Sequence, residues 1–279
     1  MKQRIFSAVI GIAILFTVLI FFDTVLLNIA TALVIIMELS EILNITDKFK
    51  KTSTTLVSLC FGALIPFVNV NIIGKILPTV CFAFVLIVFI TILKHHETAK
   101  IDQMGFVLLF TILITFSTNN FVYMRDKFGA IVGLYGILVT LCGAWITDAG
   151  AYFVGSAIGK RKLCPNISPK KTVEGVIGGI VFALVAQIAI GVVYTAFCAY
   201  IGVTVSIHYI MLMLLSPVMS IVGVIGDLIG SLIKRQYGIK DFGTIMPGHG
   251  GALDRFDSVL TVMPLVYNIF LFYPLITVA

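Results

Sequence analysis

The chain has 279 residues, of which 59% are hydrophobic and only 11% are charged, and its mean hydropathy is +1.12. A water-soluble domain of this size needs a charged surface, so the composition excludes a soluble globular protein and indicates a membrane protein. The net charge of +6 then reflects membrane topology and attraction to anionic lipid headgroups, and nucleic acid is not an expected partner.

Apolar runs long enough to cross about 30 Å of hydrocarbon recur along the chain. We predict nine, near residues 5–22, 24–43, 56–74, 76–93, 106–124, 131–157, 173–199, 209–233 and 258–277. Because backbone polar groups must be satisfied inside a bilayer, each run is expected to be helical. The predicted fold class is therefore all-α, a polytopic integral membrane protein of about nine transmembrane helices with a cytoplasm-facing polar cavity.

Basic residues divide unequally between the two sides that this arrangement creates. With the amino terminus in the cytoplasm, only Lys75, Arg125 and Lys127 fall outside, and the other 16 of the 19 basic residues lie inside. This bias follows the positive-inside rule and supports an odd number of spans. We expect a multi-pass protein of the cell membrane whose amino terminus and active-site loops are cytoplasmic.

No repeat and no Pro- or Ser-rich linker divides the chain, so residues 1–279 are predicted to form a single membrane domain. Residues 1–130 carry short loops and are expected to be scaffold and lipid-facing helices. Residues 131–279 hold most of the glycine clusters and the densest basic loops, so this half is expected to be catalytic. The five cysteines show no CxxC pair and are interpreted as packing residues.

Carboxylates inside apolar runs indicate function, because burying one at a helix centre costs about 2.5–3.5 kcal/mol on insertion scales. Asp148 and Asp227 are therefore expected to face a cavity and a cation. Glu38 and Glu41 lie about one turn apart on one face of the second span. The interpretations that stay open are lining of the cavity on the one hand, and capping or pairing with a lysine on the other.

A basic loop follows the sixth span and contains Ser168-Pro-Lys170-Lys171-Thr172. It enters a helix at Glu174-Gly175, and the amino terminus of a helix is suited to binding phosphate groups. Such a loop is also typical of ordinary positive-inside topology. Because it faces the same side as the loop near the carboxyl terminus, it could close over a nucleotide.

In the eighth span, Asp227, Ser231 and Lys234 fall on one helical face that leads toward the cytoplasm. A carboxylate, a hydroxyl and an ammonium in this order suit a site that holds Mg²⁺ while a basic group contacts phosphates. The following loop contains Pro247-Gly-His249-Gly-Gly251, whose glycines permit tight turns and amide–phosphate contacts. Asp254 is the predicted second metal carboxylate, which leaves Arg255 to bind phosphate.

Together these residues resemble the phosphatidate cytidylyltransferases, also called CDP-diacylglycerol synthases. The signature consists here of Ser231, Lys234-Arg235, Lys240-Asp241, Gly243, His249-Gly250-Gly251 and Asp254-Arg255-Phe256-Asp257. The segments 148–155 and 168–175 also look like family motifs, so the resemblance is strongest over residues 140–258. Apolar exchanges at Val173, Met246 and Ala252 depart from the family pattern and leave its polar residues intact.

The resemblance implies a nucleotidyltransferase that converts CTP and phosphatidic acid into CDP-diacylglycerol and pyrophosphate in phospholipid biosynthesis. It implies Mg²⁺ at Asp227 and Asp254, with a second cation left open. Phosphate charge would be balanced by Lys234, Arg235, Lys240 and Arg255, and substrate would also contact Ser168, Lys170, Lys171, Thr172, Ser231 and Asp148. His249 either binds a phosphate oxygen or shapes the loop. A homodimer is compatible with the resemblance.

Two other function classes share part of this pattern. A transporter or cation channel also has intramembrane acids and glycine-broken helices, but it predicts inverted repeats and acids spread across the membrane depth. A lipid kinase that uses CTP, such as a polyprenol kinase, would not carry the intact signature from Lys240 to Asp254. The concentration of acids toward one side and the intact signature favour the cytidylyltransferase.

Overall fold

A computed structural model of the chain describes residues 2–45, 53–68, 70–94, 101–245, 248 and 250–278. These residues divide into two compact units. The first comprises Met1–Lys127 and Asp241–Asp254, and the second comprises Phe128–Lys240 and Arg255–Ala279. His249, which the sequence analysis places in the active site, lies outside the described residues.

Helices form nearly all of the described part of the first unit. They are α1 (Lys2–Ile20), α2 (Val25–Leu43), α3 (Ser53–Leu64) with a 3-10 turn at Ile65–Phe67, α4 (Val70–Lys94) and the first part of α5 (Ile101–Leu141). α2 begins where it does because the Thr24 hydroxyl accepts a hydrogen bond from the Leu26 amide at 3.2 Å. The core of this unit includes α2, whose Ile35, Leu39 and Ile42 are fully buried.

A glycine and an arginine hold α2 against its neighbours. A Cβ atom on Gly62 would lie 2.7 Å from two apolar side chains of α2, so glycine is what lets α3 approach this closely. Arg125 on α5 donates hydrogen bonds to the Thr24 carbonyl and the Asn28 side chain, each at 2.8 Å. α2, which carries Glu41, is therefore fixed by contacts on two sides.

The second unit begins with the remainder of α5 and a π-helical turn at Cys142–Ile146. It continues with α6 (Thr147–Ile158), β1 (Lys162–Cys164), β2 (Ser168–Thr172), α7 (Val173–Tyr200), β3 (Val205–Ile207), α8 (Tyr209–Gln236), α9 (Leu253–Phe256), α10 (Val259–Phe272) and β4 (Ile276–Val278). The first two residues of α9 belong to the first unit. β1 pairs antiparallel with β2, and β3 pairs antiparallel with β4.

Glycines allow α6 and α7 to pack backbone against backbone. A Cβ atom on Gly150 would lie 3.1 Å from the Cα atom of Gly179, and one on Gly155 would lie 3.5 Å from that of Gly175. The helical spacing of Gly155, Gly175 and Gly179 predicts close helix packing, and these contacts agree with that prediction, in which Gly150 was not included. The connecting β1–β2 hairpin extends from this close helix pair.

Two backbone irregularities interrupt the helical stretch 101–158. Gly129 has φ 77° and ψ 175°, which divides α5 into two helical segments. Further along lies the π-helical turn, after which the Thr147 hydroxyl donates to the Gly143 carbonyl at 2.7 Å and lies 2.8 Å from the Ser220 hydroxyl. π-helical turns are frequent at functional sites. This one directly precedes Asp148.

Among the described residues, five helices are long and apolar enough to cross a membrane. They are Val25–Leu43, Lys75–Lys94, Ile101–Ile158, Val173–Tyr200 and Tyr209–Gln236, and shorter apolar helices lie at Val9–Ile20, Ser53–Phe67 and Val259–Phe272. The stretch Ile101–Ile158 covers two predicted spans. The helical membrane class is thus supported, and the number of nine crossings stays a prediction.

Two predicted span boundaries are wrong. The third run, 56–74, is not one helix, because α3 ends at Leu64 and α4 begins at Val70. Pro66 lies between them, and proline disfavours the helical conformation of the residue before it. Pro274 has the same effect near the carboxyl terminus, where α10 ends at Phe272 and the chain continues into β4 instead of remaining helical to residue 277. The short strands were not predicted.

Candidate active site

Asp227 on α8 forms an ion pair with Lys171 of β2. Its other carboxylate oxygen lies 3.4 Å from the hydroxyl of Ser231, which donates to it from one helical turn further on. This contact agrees with the spacing that predicts Asp227 and Ser231 on one face of α8. A predicted acid and a predicted base therefore meet in the second unit.

Two more carboxylates lie near Asp227. Asp148 on α6 accepts a hydrogen bond from the Ser258 hydroxyl at 3.0 Å, and Asp257 accepts one from the Ser258 backbone amide at 2.8 Å. Both acids interact electrostatically with Asp227. Acids from α6, α8 and the turn before α10 thus converge, and we call Asp148, Asp227 and Asp257 the acid cluster.

Basic side chains balance the acid cluster. Burial raises the pKa of Asp257 well above its usual range, and the other two acids raise it further, whereas the Lys234 ammonium lowers it. Lys171 pairs with one acid, and the charge of Arg255 interacts with that of Asp148. The negative charge of the cluster is therefore compensated by flexible basic side chains.

The β1–β2 hairpin brings lysines to the cluster. Its turn at residues 164–167 is closed by a hydrogen bond from the Ile167 amide to the Cys164 carbonyl at 3.1 Å, and Pro165 favours such a turn. β2 leads directly into α7, where the Thr172 hydroxyl accepts a hydrogen bond from the Gly175 amide at 3.1 Å. Thr172 is buried, so this predicted phosphate ligand caps the helix here.

Two side chains fix the hairpin at its ends. The Glu174 carboxylate accepts hydrogen bonds from the amides of Lys160 and Arg161 just before β1, at 3.1 Å to each. Arg235, at the end of α8, donates through Nε to the Ile167 carbonyl in the turn at 3.3 Å. Arg235 is predicted to balance phosphate charge, and in this structure it holds the hairpin.

A cavity of about 550 Å³ is enclosed by α6, the hairpin, α7 and α8. The predicted site residues Asp148, Ser168, Lys170, Lys171, Thr172 and Asp227 all line it. Lys162, Tyr152 and Ser156 line it as well and were not predicted. Because its wall carries three lysines and two aspartates, the cavity suits a ligand with several negative charges.

The remaining predicted phosphate ligands of this unit lie around the cavity or beyond it. Lys234 interacts with Asp257, and the exposed Arg255 has its carbonyl bonded to the Trp145 indole at 2.9 Å. Lys240 is exposed past the end of α8 and is not among the residues that line the cavity. Of the predicted basic residues of the second unit, Lys170 and Lys171 thus line the cavity, and Lys234 and Arg255 interact with the acid cluster.

The predicted second metal ligand, Asp254, belongs to the first unit. One of its carboxylate oxygens accepts hydrogen bonds from the amides of Phe242 at 2.8 Å and Gly251 at 2.9 Å. It closes the segment 241–254, which we call the signature loop. The predicted metal pair is thus divided between the two units, with Asp227 in the second, and its pairing stays a prediction.

The acids of α2 have structural partners within the first unit. Glu41 accepts hydrogen bonds from the amides of Ala252 at 2.9 Å and Leu253 at 2.8 Å, so capping is the interpretation that the structure supports. Glu38 is fully buried and accepts a hydrogen bond from the Thr118 hydroxyl at 2.8 Å. Sequence reasoning did not identify the amides that Glu41 binds.

Asp257 and Lys162 are the functional candidates that sequence reasoning missed. Asp257 was visible as an acid three residues after Asp254, but the sequence does not show that it faces Asp148 and Asp227. Lys162 was counted only as a topological charge. Its place in the cavity depends on the hairpin, which helical periodicity does not predict.

The chemistry of the acid cluster fits a hard cation. Carboxylate oxygens are the ligands that Mg²⁺ prefers, and buried, mutually repelling acids gain from a nearby positive charge. Within the part of the chain that the structure describes, no group of three or more His, Cys, Asp or Glu residues is arranged to hold a metal ion. Lys171 supplies the neighbouring positive charge to Asp227 in this arrangement.

Comparison with known proteins extends over nearly the whole chain. Residues 2–273 match the model of the cytidylyltransferase family. A phosphatidate cytidylyltransferase of Bacillus subtilis (strain 168) is 44% identical over 188 residues, which are 67% of this chain and 65% of that protein. Those of Staphylococcus haemolyticus (strain JCSC1435) and Staphylococcus aureus (strain COL) are 32% and 33% identical, over 95% of this chain and 97% of each relative.

Proposed function

The chain belongs to the cytidylyltransferase family, and we infer that it transfers the cytidylyl group of CTP to phosphatidic acid, with release of pyrophosphate. It is a CTP-dependent nucleotidyltransferase of phospholipid biosynthesis. The product is CDP-diacylglycerol, and the resemblance of the chain to the phosphatidate cytidylyltransferases is confirmed by relatives of that name.

The cavity of the second unit is the observation that carries this function. It brings Lys162, Lys170 and Lys171 opposite Asp148 and Asp227 in a space of about 550 Å³. A triphosphate needs several positive charges, and a metal that neutralises it needs carboxylates within reach. Both groups meet in this cavity.

The reaction requires the protein to align the two substrates and to neutralise the charge of their phosphates. A phosphate oxygen of phosphatidic acid attacks the α-phosphorus of CTP, and the bond from that phosphorus to the bridging oxygen of the β-phosphate breaks. The lipid phosphate is already ionised near neutral pH, so it needs little help from a general base. We assign the hairpin lysines to the triphosphate and to the departing pyrophosphate, whose negative charge they balance.

We propose Mg²⁺ as the cofactor, held by Asp227 together with the neighbouring acids of the cluster. When bound, it neutralises charge on the phosphates. Lys171, which is paired with Asp227 in this structure, would then be available to a phosphate group. The further ligand Asp254, and a second cation, follow from the resemblance and are part of the same proposal.

The two substrates reach the enzyme from different phases. Tyr152 lines the cavity and is 70% exposed, and its neighbour Phe153 is 63% exposed, so we propose that this wall of α6 faces lipid. CTP is dissolved in the cytoplasm, and the basic loops follow the positive-inside rule. We therefore propose nine crossings of the cell membrane, with the amino terminus and the cavity mouth on the cytoplasmic side, and a homodimer as its assembly.

One labelling experiment tests the reaction. The purified protein in detergent micelles is given phosphatidic acid, Mg²⁺ and CTP that carries one label in the cytidine and another in the γ-phosphate. We expect the cytidine label in the organic phase and the γ-label in pyrophosphate. Lipid without cytidine label would refute the proposed function.

The same experiment separates the rival function classes. A lipid kinase would transfer the γ-label to a lipid alcohol, so micelles that contain diacylglycerol or a polyprenol are the comparison. A transporter or channel would leave both labels on CTP. A variant in which Asp227 is replaced by asparagine provides the catalytic blank, because it retains the shape of the side chain and removes its charge.

A further inference from the structure

We infer that Glu41 is a positioning residue for cytidylyl transfer, because its carboxylate fixes the signature loop that carries Asp254. Its part in the reaction rests on the proposed function, whereas its contacts do not. All of these contacts lie within the first unit. Glu41 acts through the loop, and no contact with substrate is required of it.

Both oxygens of Glu41 are committed to the loop backbone. One accepts a hydrogen bond from the Ala252 amide at 2.9 Å and the other from the Leu253 amide at 2.8 Å. The three residues are 5%, 0% and 4% exposed, so water has little access to replace these bonds. α9 begins at Leu253, and the first amides of a helix have no partner within it. Glu41 supplies two of those partners from α2.

Glycines of the signature loop make room for this carboxylate. A Cβ atom on either Gly243 or Gly251 would overlap the Glu41 side chain. Gly250 has φ 85°, a backbone conformation that glycine adopts without strain. The glycine pattern of the loop is therefore explained by two requirements, close approach to Glu41 and a left-handed turn.

The same stretch of backbone determines where Asp254 lies. Three consecutive amides are bound to two carboxylates: that of Gly251 to Asp254, and those of Ala252 and Leu253 to Glu41. Loss of the Glu41 contacts frees the backbone between Gly251, whose amide Asp254 binds, and Asp254 itself. A small displacement of a catalytic group lowers turnover strongly, by up to about 100-fold for a shift of 1 Å.

Glu38 provides a matched control on the same helix. It lies about one turn earlier on α2, is fully buried and accepts its hydrogen bond from Thr118 of α5. Glu38→Gln therefore replaces a buried carboxyl group of α2 without touching the signature loop. Glu41→Gln makes the same exchange of carboxyl for amide, but it replaces one acceptor oxygen of the loop contacts with an NH₂ group, which cannot accept a hydrogen bond from backbone N–H.

The experiment compares both variants with the full-length protein in detergent by two readouts. For Glu41→Gln we expect amide exchange in residues 251–254 to become about 10-fold faster or more, because local opening becomes easier. We also expect kcat to fall by about 10- to 100-fold and more Mg²⁺ to be needed, with KM for phosphatidic acid within about 2-fold. Glu38→Gln should leave loop exchange and the Mg²⁺ requirement unchanged.

Gly243→Ala disturbs the same contact from the side of the loop, because the added Cβ atom overlaps Glu41, and it leaves every carboxylate in place. It therefore tests the positioning role even if Glu41→Gln does not fold. Its control is Gly105→Ala, where a Cβ atom would meet nothing within 4 Å. Unchanged loop exchange in the folded variants would refute the contact. Faster exchange with normal kcat and Mg²⁺ dependence would refute the positioning role. A wild-type enzyme that makes no CDP-lipid would refute the proposed function and leave the exchange result standing.

Discussion

In the first unit, Glu41 and Asp254 accept hydrogen bonds from four backbone amides, whereas in the second unit Asp227 pairs with the ammonium of Lys171. Both regions hold buried or half-buried carboxylates in a very apolar chain. Glu41 and Asp254 are satisfied by fixed backbone donors, whereas Asp227 is paired with a long, flexible side chain.

That difference separates carboxylates with a structural role from carboxylates whose positively charged partner can be replaced. A backbone amide cannot leave without opening the loop, and a hydrogen bond to a charged group contributes about 1.5–3 kcal/mol. A lysine ammonium sits on a flexible four-carbon stem and can move to another anion. The acid cluster of the second unit is thus suited to admit a metal or phosphate, and the carboxylates around the signature loop are suited to hold one geometry.

The sharpest test of this difference is Asp227→Asn. The substitution preserves the side-chain shape and removes the charge that balances Lys171 and that would hold Mg²⁺. We expect turnover to fall by about 1000-fold, the size of effect seen when a group that stabilises transition-state charge is removed. The measurement is cytidine label in lipid, with thermal unfolding in detergent as the check on folding. A near-normal rate would remove Asp227 from the metal site.

Asp254→Asn tests whether Asp254 has only a structural role. The asparagine oxygen can still accept the amides of Phe242 and Gly251, so the loop should stay closed. If Asp254 also holds Mg²⁺, as the family resemblance implies, turnover falls by about 100-fold and the Mg²⁺ requirement rises. Normal turnover with a closed loop, measured by amide exchange, would make Asp254 a purely structural residue and widen the contrast between the units.

Lys171→Gln tests the exchangeable partner. Loss of one charged contact to phosphate predicts a fall in kcat/KM for CTP of about 10- to 100-fold. Lys160→Gln is the control, because that side chain is exposed and lies outside the cavity, and only its backbone amide contacts Glu174. Equal effects of the two substitutions would mean that general positive charge, and not the ion pair with Asp227, is what matters.

The sequence predicts those parts of this comparison that depend on local spacing. Apolar runs identify most helices, and the four-residue step from Asp227 to Ser231 predicts their contact on one face of α8. The glycine steps predict the close packing of α6 against α7. These features repeat with the period of the helix, so they can be read without knowing the fold.

Contacts between distant segments could not be predicted in the same way. Glu41 binds amides that lie 211 and 212 residues further along the chain. Because nearly every residue has a backbone amide, the residue type does not show which amides form such bonds. The π-helical turn before Asp148 and the hairpin that carries Lys162 also depend on tertiary contacts. The three-residue spacing of Asp254 and Asp257 is compatible with one helical face, although the structure places Asp257 with the acid cluster of the second unit.

The smallest expected effect concerns the stability of the metal-free protein. The pKa of Asp257 is raised in the folded state by burial and by its acidic neighbours, so the ionised form opposes folding. Stability should fall as pH increases from the ordinary aspartate pKa, about 4, up to the raised value, because the unfolded chain loses the proton first.

Asp257→Asn removes this dependence, and its amide oxygen can still accept a hydrogen bond from the Ser258 amide. We expect it to raise the unfolding temperature at neutral pH by about 2–4 °C in chelator, with little difference near pH 4. A variant that unfolds earlier than wild type at neutral pH would show that the Lys234 contact outweighs the repulsion, and Asp257 would then resemble Glu41 and Asp254, whose bonds stabilise the fold.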